Sequence, residues 1–511
     1  ATTQVGRLRQ VTYVQGTLTV IRKTDYDARG NVTWSQQEID DGATTKTLTT
    51  SYQYDGNNQI KQISYPSGRV IDYTRSANGR ITSISATFQG ATTTVVSAVS
   101  YSTTPFGPPR IFTYGNGLQR SAPLDLSYAA TDLILWDPSN TNVWDFRHYD
   151  LDDAGNIELI EDGIDPNLSR SYDYDGLHRL PWDSGVSAAS PTYNYDGNGN
   201  RTHREAAASE EQDFTITPGS NRIATYTLGG LANNPSYDGM GNVTGYQSIG
   251  DLTYDEGGRL ASIWDLAGLY GVKMDYNGMG ELAYARRYTN DACTNEEVVL
   301  AQEYFTFAPD GRALELVSGN ASRTESDWVW LDGQPVAQFT DSYDAAGTYQ
   351  GTTVTYLYAD HLGTPRIGTD ASKAITWRYQ SDAFGVGTPS GTASVRFRLP
   401  GQIDLGILGI GYNYFRDYDP QVGRYLEGDP IGLEGGLNTY TYVGNNPLSA
   451  VDWLGLAASC GDDRDCVALC LKAYYGDFYT FALAASPLSF TGFALDEVAE
   501  ATETNLSRQA N

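Results

Sequence analysis

Residues 411–456 read GYNYFRDYDPQVGRYLEGDPIGLEGGLNTYTYVGNNPLSAVDWLGL and hold the side chains of this chain best suited to chemistry. Four aspartates (Asp417, Asp419, Asp429, Asp452) sit with Arg416 and Arg424 among Gly and Pro turn signals, without helical periodicity. Two carboxyl groups that share a site divide labour: one stays ionised as a base while the other is held protonated as an acid. Such a pair can drive water onto a peptide bond. The same residues also suit plain structure, because Asp419-Pro420 and Asp429-Pro430 are turn formers and Asp417 beside Arg416 or Arg424 makes an ordinary ion pair. The acidic spacing does not match a calcium loop and no His lies near the cluster, so neither a metal nor a cofactor is expected.

The elements that must position these residues are β-hairpins. A phrase recurs along the chain: Tyr-Asp, then Gly, then Asn or Arg, then an apolar residue. It stands at Tyr26-Asp27 with Gly30-Asn31-Val32, at Tyr54-Asp55, at Tyr174-Asp175 with Arg179-Leu180, and at Tyr195-Asp196 with Gly199-Asn200-Arg201. It returns at Tyr237-Asp238 with Gly241-Asn242-Val243 and at Tyr254-Asp255 with Gly258-Arg259-Leu260. Degenerate copies fall at Tyr73, Asp153 and Asp310. Alternating Tyr and Thr read as a strand, Asp and Gly as the turn, and the apolar residue as the start of the next strand. A lone hairpin cannot bury its apolar face, so consecutive hairpins must pair edge to edge into a strip. The Tyr side chains are expected to pack across strands.

These phrases are the Tyr-Asp repeats of the RHS (YD-repeat) proteins, which residues 20–315 resemble. The resemblance continues through Asp360-His361-Leu362-Gly363-Thr364-Pro365-Arg366 into residues 411–456, which are similar to the core domain that ends the repeat region in that family. It implies an all-β fold: a long spiralling strip of hairpins forming a hollow shell, closed by the core domain, with a short tail of helical character. The implied domains are a repeat shell over 1–315, a core with a self-cleaving aspartyl protease over 316–456, and a cargo peptide over 457–511.

Matched position by position, the resemblance makes Arg416, Asp417 and Asp429 the catalytic set. Asp452 and Gly455 belong to the cleavage motif, and the scissile bond joins Leu456 to Ala457. Trp453 stands where the family usually has Pro, which loosens the presentation of Leu456 and puts cleavage efficiency in question. His361, without a nucleophile motif beside it, reads as a structural turn residue.

The formal net charge of −28 excludes nucleic acid and anionic membranes as partners. The implied partners are the chain's own 457–511 peptide as cargo and a capping or delivery protein or a second copy. Membrane contact is expected only through the released tail, whose residues 478–495 carry no charge. Of the four Cys, Cys460, Cys466 and Cys470 lie in that tail, which lacks the His that would complete a zinc site, and Cys293 stands alone. The chain opens at Ala1 inside repeat-like sequence, reading as a fragment or processed product, and ATTQVGRLRQV is not a signal peptide. The expected role is a secreted bacterial toxin container that cuts out its own C-terminal peptide. The alternative is a non-cleaving extracellular structural or adhesive protein. A carbohydrate surface would rest on Tyr and Asp abundance alone.

Overall fold

The computed structural model describes residues 7–101, 107–125, 129–184, 191–205, 211–228, 230–246, 249–290 and 297–456. The tail, Ala457 and all four Cys lie outside these residues. The described chain is almost wholly antiparallel β, with three single-turn 3-10 segments and no α-helix. Consecutive strands pair in order. A first sheet of 20 strands runs from Gln10–Gln15 to Leu231–Asn233. A second of 14 runs from Ser236–Tyr237 to Ser390–Gly391. A third of 4 comprises Ile403–Asp404, Gly411–Asn413, Arg416–Asp419 and Arg424–Tyr425. The expected strip of hairpins is what the chain forms. Among the described residues, its sheets are not closed by strand pairing.

The repeated phrase builds each turn. Asp27 accepts the backbone N–H groups of Arg29 at 2.8 Å and Asn31 at 2.9 Å, and the Asn31 side-chain amide at 2.7 Å. Asp152 and Asp196 repeat that set with Asn156 and Asn200. Asp175 and Asp255 repeat it with the Arg179 and Arg259 guanidinium groups. The fourth turn residue takes a positive φ, +100° at Gly30, which is why Gly recurs there.

The Tyr of the phrase has a more specific role than cross-strand packing. Tyr54, Tyr195, Tyr254 and Tyr276 donate their hydroxyls to the carbonyls of Val32, Leu180, Val243 and Leu260, the apolar residues of preceding turns. Each repeat is thereby fastened to the one before it.

The two large sheets both contribute to two buried clusters, one with Trp328 and Trp330, the other with Tyr114 and Phe339. Residues 411–446 lie across a row of repeat turns. Tyr412 Oη accepts the Leu282 N–H at 3.0 Å, and Asn438 and Asn446 donate to the side-chain oxygens of Asn200 and Asn156. Tyr440 donates to Gly241 O at 2.8 Å. His361 is half-buried and its Nε2 lies 2.8 Å from Leu448 O, a tie to the chain just beyond that segment.

Candidate functional site

Arg416 is the centre of the acidic cluster. It lies on the strand Arg416–Asp419, is 3% exposed, and stacks its guanidinium 3.6 Å from the Tyr425 ring centre. Its Nη2 bridges two carboxylates, Asp429 Oδ2 at 3.1 Å and Asp452 Oδ2 at 3.0 Å. Its Nη1 donates to Thr439 O at 3.1 Å, and its Nε donates to Gly455 O, one residue before the expected scissile residue. A buried charge is stable in such a place because each guanidinium nitrogen has an acceptor and two carboxylates face it.

The two carboxyl groups on Arg416 differ in their surroundings. Asp452 accepts from the Tyr425 hydroxyl at 2.8 Å and from the Leu456 backbone N–H at 2.9 Å besides Arg416. Asn413 fixes this arrangement by donating to both the Tyr425 hydroxyl and the Asp452 carbonyl. Asp429 accepts only the Ile431 N–H at 3.0 Å in addition to Arg416. Burial pushes its carboxyl up to about 7; Arg416 and the Ile431 N–H pull it down, and the Asp452 charge adds to the rise.

The expected scissile residue is packed into this cluster. Leu456 is 1% exposed, and Phe415 N donates to Leu454 O at 3.1 Å. Two glycines make the fit. Gly455 has φ +67°, and a Cβ there would meet Asn413 O at 2.5 Å. A Cβ on Gly435 would meet Asp429 Oδ2 at 2.3 Å and Leu456 O at 2.8 Å, so the Asp429 carboxyl and the Leu456 carbonyl flank one point. Trp453 is half-buried and meets Trp330 edge-on, ring centres 6.5 Å apart, so packing supplies a restraint that the fixed φ of Pro would otherwise give. A cavity of about 470 Å³ opens beside Asp429, with Glu427, Arg222, Arg259, Thr439 and Tyr440 on its walls.

The cluster differs from the expected set at one position. Asp417 is not on Arg416. Successive side chains on a strand point to opposite faces, so neighbours 416 and 417 cannot both face Asp429. Asp417 instead meets Glu427, whose Oε2 accepts the Asp417 N–H at 2.8 Å. The partner of Asp429 across Arg416 is Asp452, brought back by the return of the chain after Thr439. The sequence signal for it is the four-residue step from Asp452 to Leu456, which lets a carboxylate cap the backbone of the expected scissile residue. Asp419 accepts the Gln421 N–H in its turn, and Arg424 donates to Asn221 O and stacks on Tyr440, so both are structural.

Among the described residues, the His and carboxylate groups close enough to share an ion are His203, Glu211 and Asp213, none of them in this cluster. The His203 Nδ1 already meets Asp213 Oδ1 at 2.7 Å.

Comparison with known proteins follows the same lines. The family model described as RHS Repeat matches residues 54–92. The chain is 27% identical over 340 residues to double-stranded DNA deaminase toxin A of Burkholderia cenocepacia, covering 58% of this chain and 23% of that protein. It is 28% identical over 362 residues to toxin protein Tse5 of Pseudomonas aeruginosa, covering 61% of this chain and 27% of that protein. The crystal structure of TcdB2-TccC3 superposes with a TM-score of 0.73 at 18% identity, over 88% of this chain and 25% of that one. The chain thus spans about a quarter of the length of these relatives.

Proposed function

This chain is an RHS-repeat protein, and on that premise we propose that it is the container portion of a bacterial toxin whose core cuts the bond between Leu456 and Ala457 and frees residues 457–511 as cargo. Arg416, Asp429 and Asp452 do the work. Asp452, surrounded by donors, is the base that takes a proton from a water standing in the cavity beside Asp429. The water oxygen attacks the Leu456 carbonyl carbon while Asp429, which holds its proton to about neutral pH, gives it to the Leu456 oxygen. The tetrahedral centre then collapses: the bond to the Ala457 nitrogen breaks, that nitrogen takes the proton held on Asp452, and the hydroxyl proton on the former carbonyl oxygen returns to Asp429. The products are a Leu456 carboxyl group and an Ala457 amine. Arg416 keeps both carboxyl groups and the Gly455 carbonyl in place throughout.

One observation carries this reading. The backbone N–H of Leu456 is bound to one carboxylate of an Arg-bridged pair, and its carbonyl oxygen lies beside the other. Export by a dedicated secretion machine and a capping or delivery partner belong to the same proposal, by likeness to relatives named as toxins. A non-cleaving surface scaffold is favoured by the full set of hydrogen bonds that Asp452 already makes, because a purely structural strap would look the same there. Mass analysis of the full chain and its Asp429→Asn and Asp452→Asn variants separates the two: cutting in the parent and none in either variant supports the protease.

A further inference from the structure

Asp452 takes hydrogen bonds unevenly on its two oxygens. Oδ2 accepts the Tyr425 hydroxyl at 2.8 Å and Arg416 Nη2 at 3.0 Å. Among the described residues, Oδ1 accepts only the Leu456 N–H, at 2.9 Å. A carboxylate oxygen offers two lone pairs, so Oδ2 is filled while Oδ1 keeps one free. That free lone pair belongs to the oxygen that already holds the expected scissile residue. The other groups facing Asp452 leave Oδ1 alone. Asp429 meets it across Arg416, and the Tyr442 hydroxyl lies by the Asp452 main-chain N–H.

The direction of the Tyr425 hydrogen bond is fixed by a neighbour. Asn413 is fully buried at the end of the strand Gly411–Asn413. Its Nδ2 donates to the Tyr425 oxygen at 2.8 Å and to the Asp452 carbonyl at 2.9 Å. A carbonyl only accepts, so the shared atom is the amide nitrogen, and both of its hydrogens are used. The Tyr425 oxygen is thereby an acceptor for Asn413, and its own proton points at Asp452 Oδ2. Arg416 stacks 3.6 Å from the Tyr425 ring centre and holds the ring in place. Gly401 leaves room for the amide: a Cβ there would stand 2.7 Å from Asn413 Oδ1.

We propose that Tyr425 and Asn413 are positioning residues for the cut: Asn413 turns the Tyr425 proton onto Asp452 Oδ2, which leaves Oδ1 as the oxygen that takes the proton of the attacking water. An O–H bond of the water breaks as its oxygen joins the Leu456 carbonyl carbon, and the proton passes to Oδ1. It leaves Oδ1 for the Ala457 nitrogen when the bond between Leu456 and Ala457 breaks. Neither Tyr425 nor Asn413 touches the reacting atoms. A hydroxyl that donates to a carboxylate favours its charged form, so losing this hydroxyl weakens the base more at acid pH than at neutral pH.

The inference rests on the cleavage reading, and the test keeps the two apart. The cutting rate of the full chain is followed from pH 4 to 8 beside Tyr425→Phe, which keeps the ring under Arg416 and removes only the hydroxyl. The acid-side fall in rate should move up by about one pH unit in the variant, so that it cuts about 10-fold more slowly at a given acid pH, and the two curves should converge as pH rises. A constant offset at every pH, the mark of a merely structural loss, would overturn the proposal, as would superimposable curves. Asn413→Asp sets an acceptor in place of the donor and should draw the Tyr425 proton away from Asp452, giving an acid-side shift by itself. Adding Tyr425→Phe should then shift the curve no further; a second, additive shift would overturn the part given to Asn413. Another readout needs no cutting. A carboxyl that gains a proton is a weaker acceptor. In an Asp429→Asn background, the Leu456 amide should therefore lose hydrogen-exchange protection on acidification, and at a higher pH once Tyr425→Phe is added. Loss at the same pH overturns the proposal. If the parent cuts at no pH, the cleavage reading fails, while the exchange measurement still decides whether Tyr425 acts on Asp452.

Discussion

The same residue type meets opposite fates in the repeat turns and in residues 411–456. In the turns, Asp27, Asp152 and Asp175 are partly shielded from water, which pushes their carboxyls up, yet two backbone N–H groups and an Asn or Arg side chain more than offset that and hold them below the ordinary range. In the core segment, Asp417 and Asp429 sit deeper with fewer donors, and both rise to about 7. The sequence context does not separate them, since a glycine lies within three residues of Asp27, Asp152, Asp175 and Asp429 alike. What differs is how many N–H groups the local backbone turns toward the carboxylate. A turn that satisfies its Asp locally makes a fastener, whereas a segment that buries its Asp against distant partners leaves a proton free to move.

The largest effects should come from breaking the Arg416 cluster. Asp429→Asn or Asp452→Asn should lower cutting by about 10²–10⁴-fold, the usual contribution of a positioned acid or base, as read by intact mass over time. Asp417→Asn should still cut at pH 5 to 6, which distinguishes the Asp429 and Asp452 pair from the pair expected from sequence. Next comes Gly435→Ala, which places a methyl group where the Asp429 carboxyl and the Leu456 carbonyl meet. A displacement of about 1 Å there should slow cutting about 100-fold while leaving the thermal transition nearly in place.

The two regions respond oppositely to pH. Depressed turn carboxylates stabilise the repeats above the unfolded value, about 4, and that stabilisation is lost as pH falls through the lower folded values. Raised core carboxyls stabilise residues 411–456 at acid pH and lose this as pH rises through about 7. Segment-resolved hydrogen exchange should therefore show the repeats loosening first below pH 4 and the core hairpin loosening first above pH 7. The smallest effect should follow Asp152→Ala, which removes hydrogen bonds to Ala154 and Asn156 at one turn. It should cost about 1–3 kcal/mol in denaturant unfolding and leave the cut untouched.

The hairpin strip was legible because its signals are local. Asp27 to Asn31 folds on itself, and the phrase repeats often enough that each copy supports the others. The use of the Tyr hydroxyls was not legible, because Tyr54 reaches Val32 across 22 residues and nothing in its own strand names that carbonyl. At the candidate site the sequence pointed to residues 411–456, and within that stretch the chain brings Arg416 and Asp429 together with Leu456. Asp417 entered the expected set through its match to the family motif, whereas strand alternation turns it to the face opposite Arg416. Asp452 was read as part of the cut motif alone, because its approach to Arg416 spans 36 residues and depends on how residues 437–446 seat against the repeat turns. Glu427 carried no signal of its own, since one Glu in LEGDP reads as the end of a strand.

In the proposed function, Arg416, Asp429 and Asp452 cut the chain after Leu456. Intact mass spectrometry of the full chain, denatured after incubation at pH 6, tests it most directly. Two species are expected, one ending at Leu456 and one beginning at Ala457, with a single uncut mass in the Asp429→Asn variant. A single full-length mass in the parent, or the same two fragments in the variant, would contradict it.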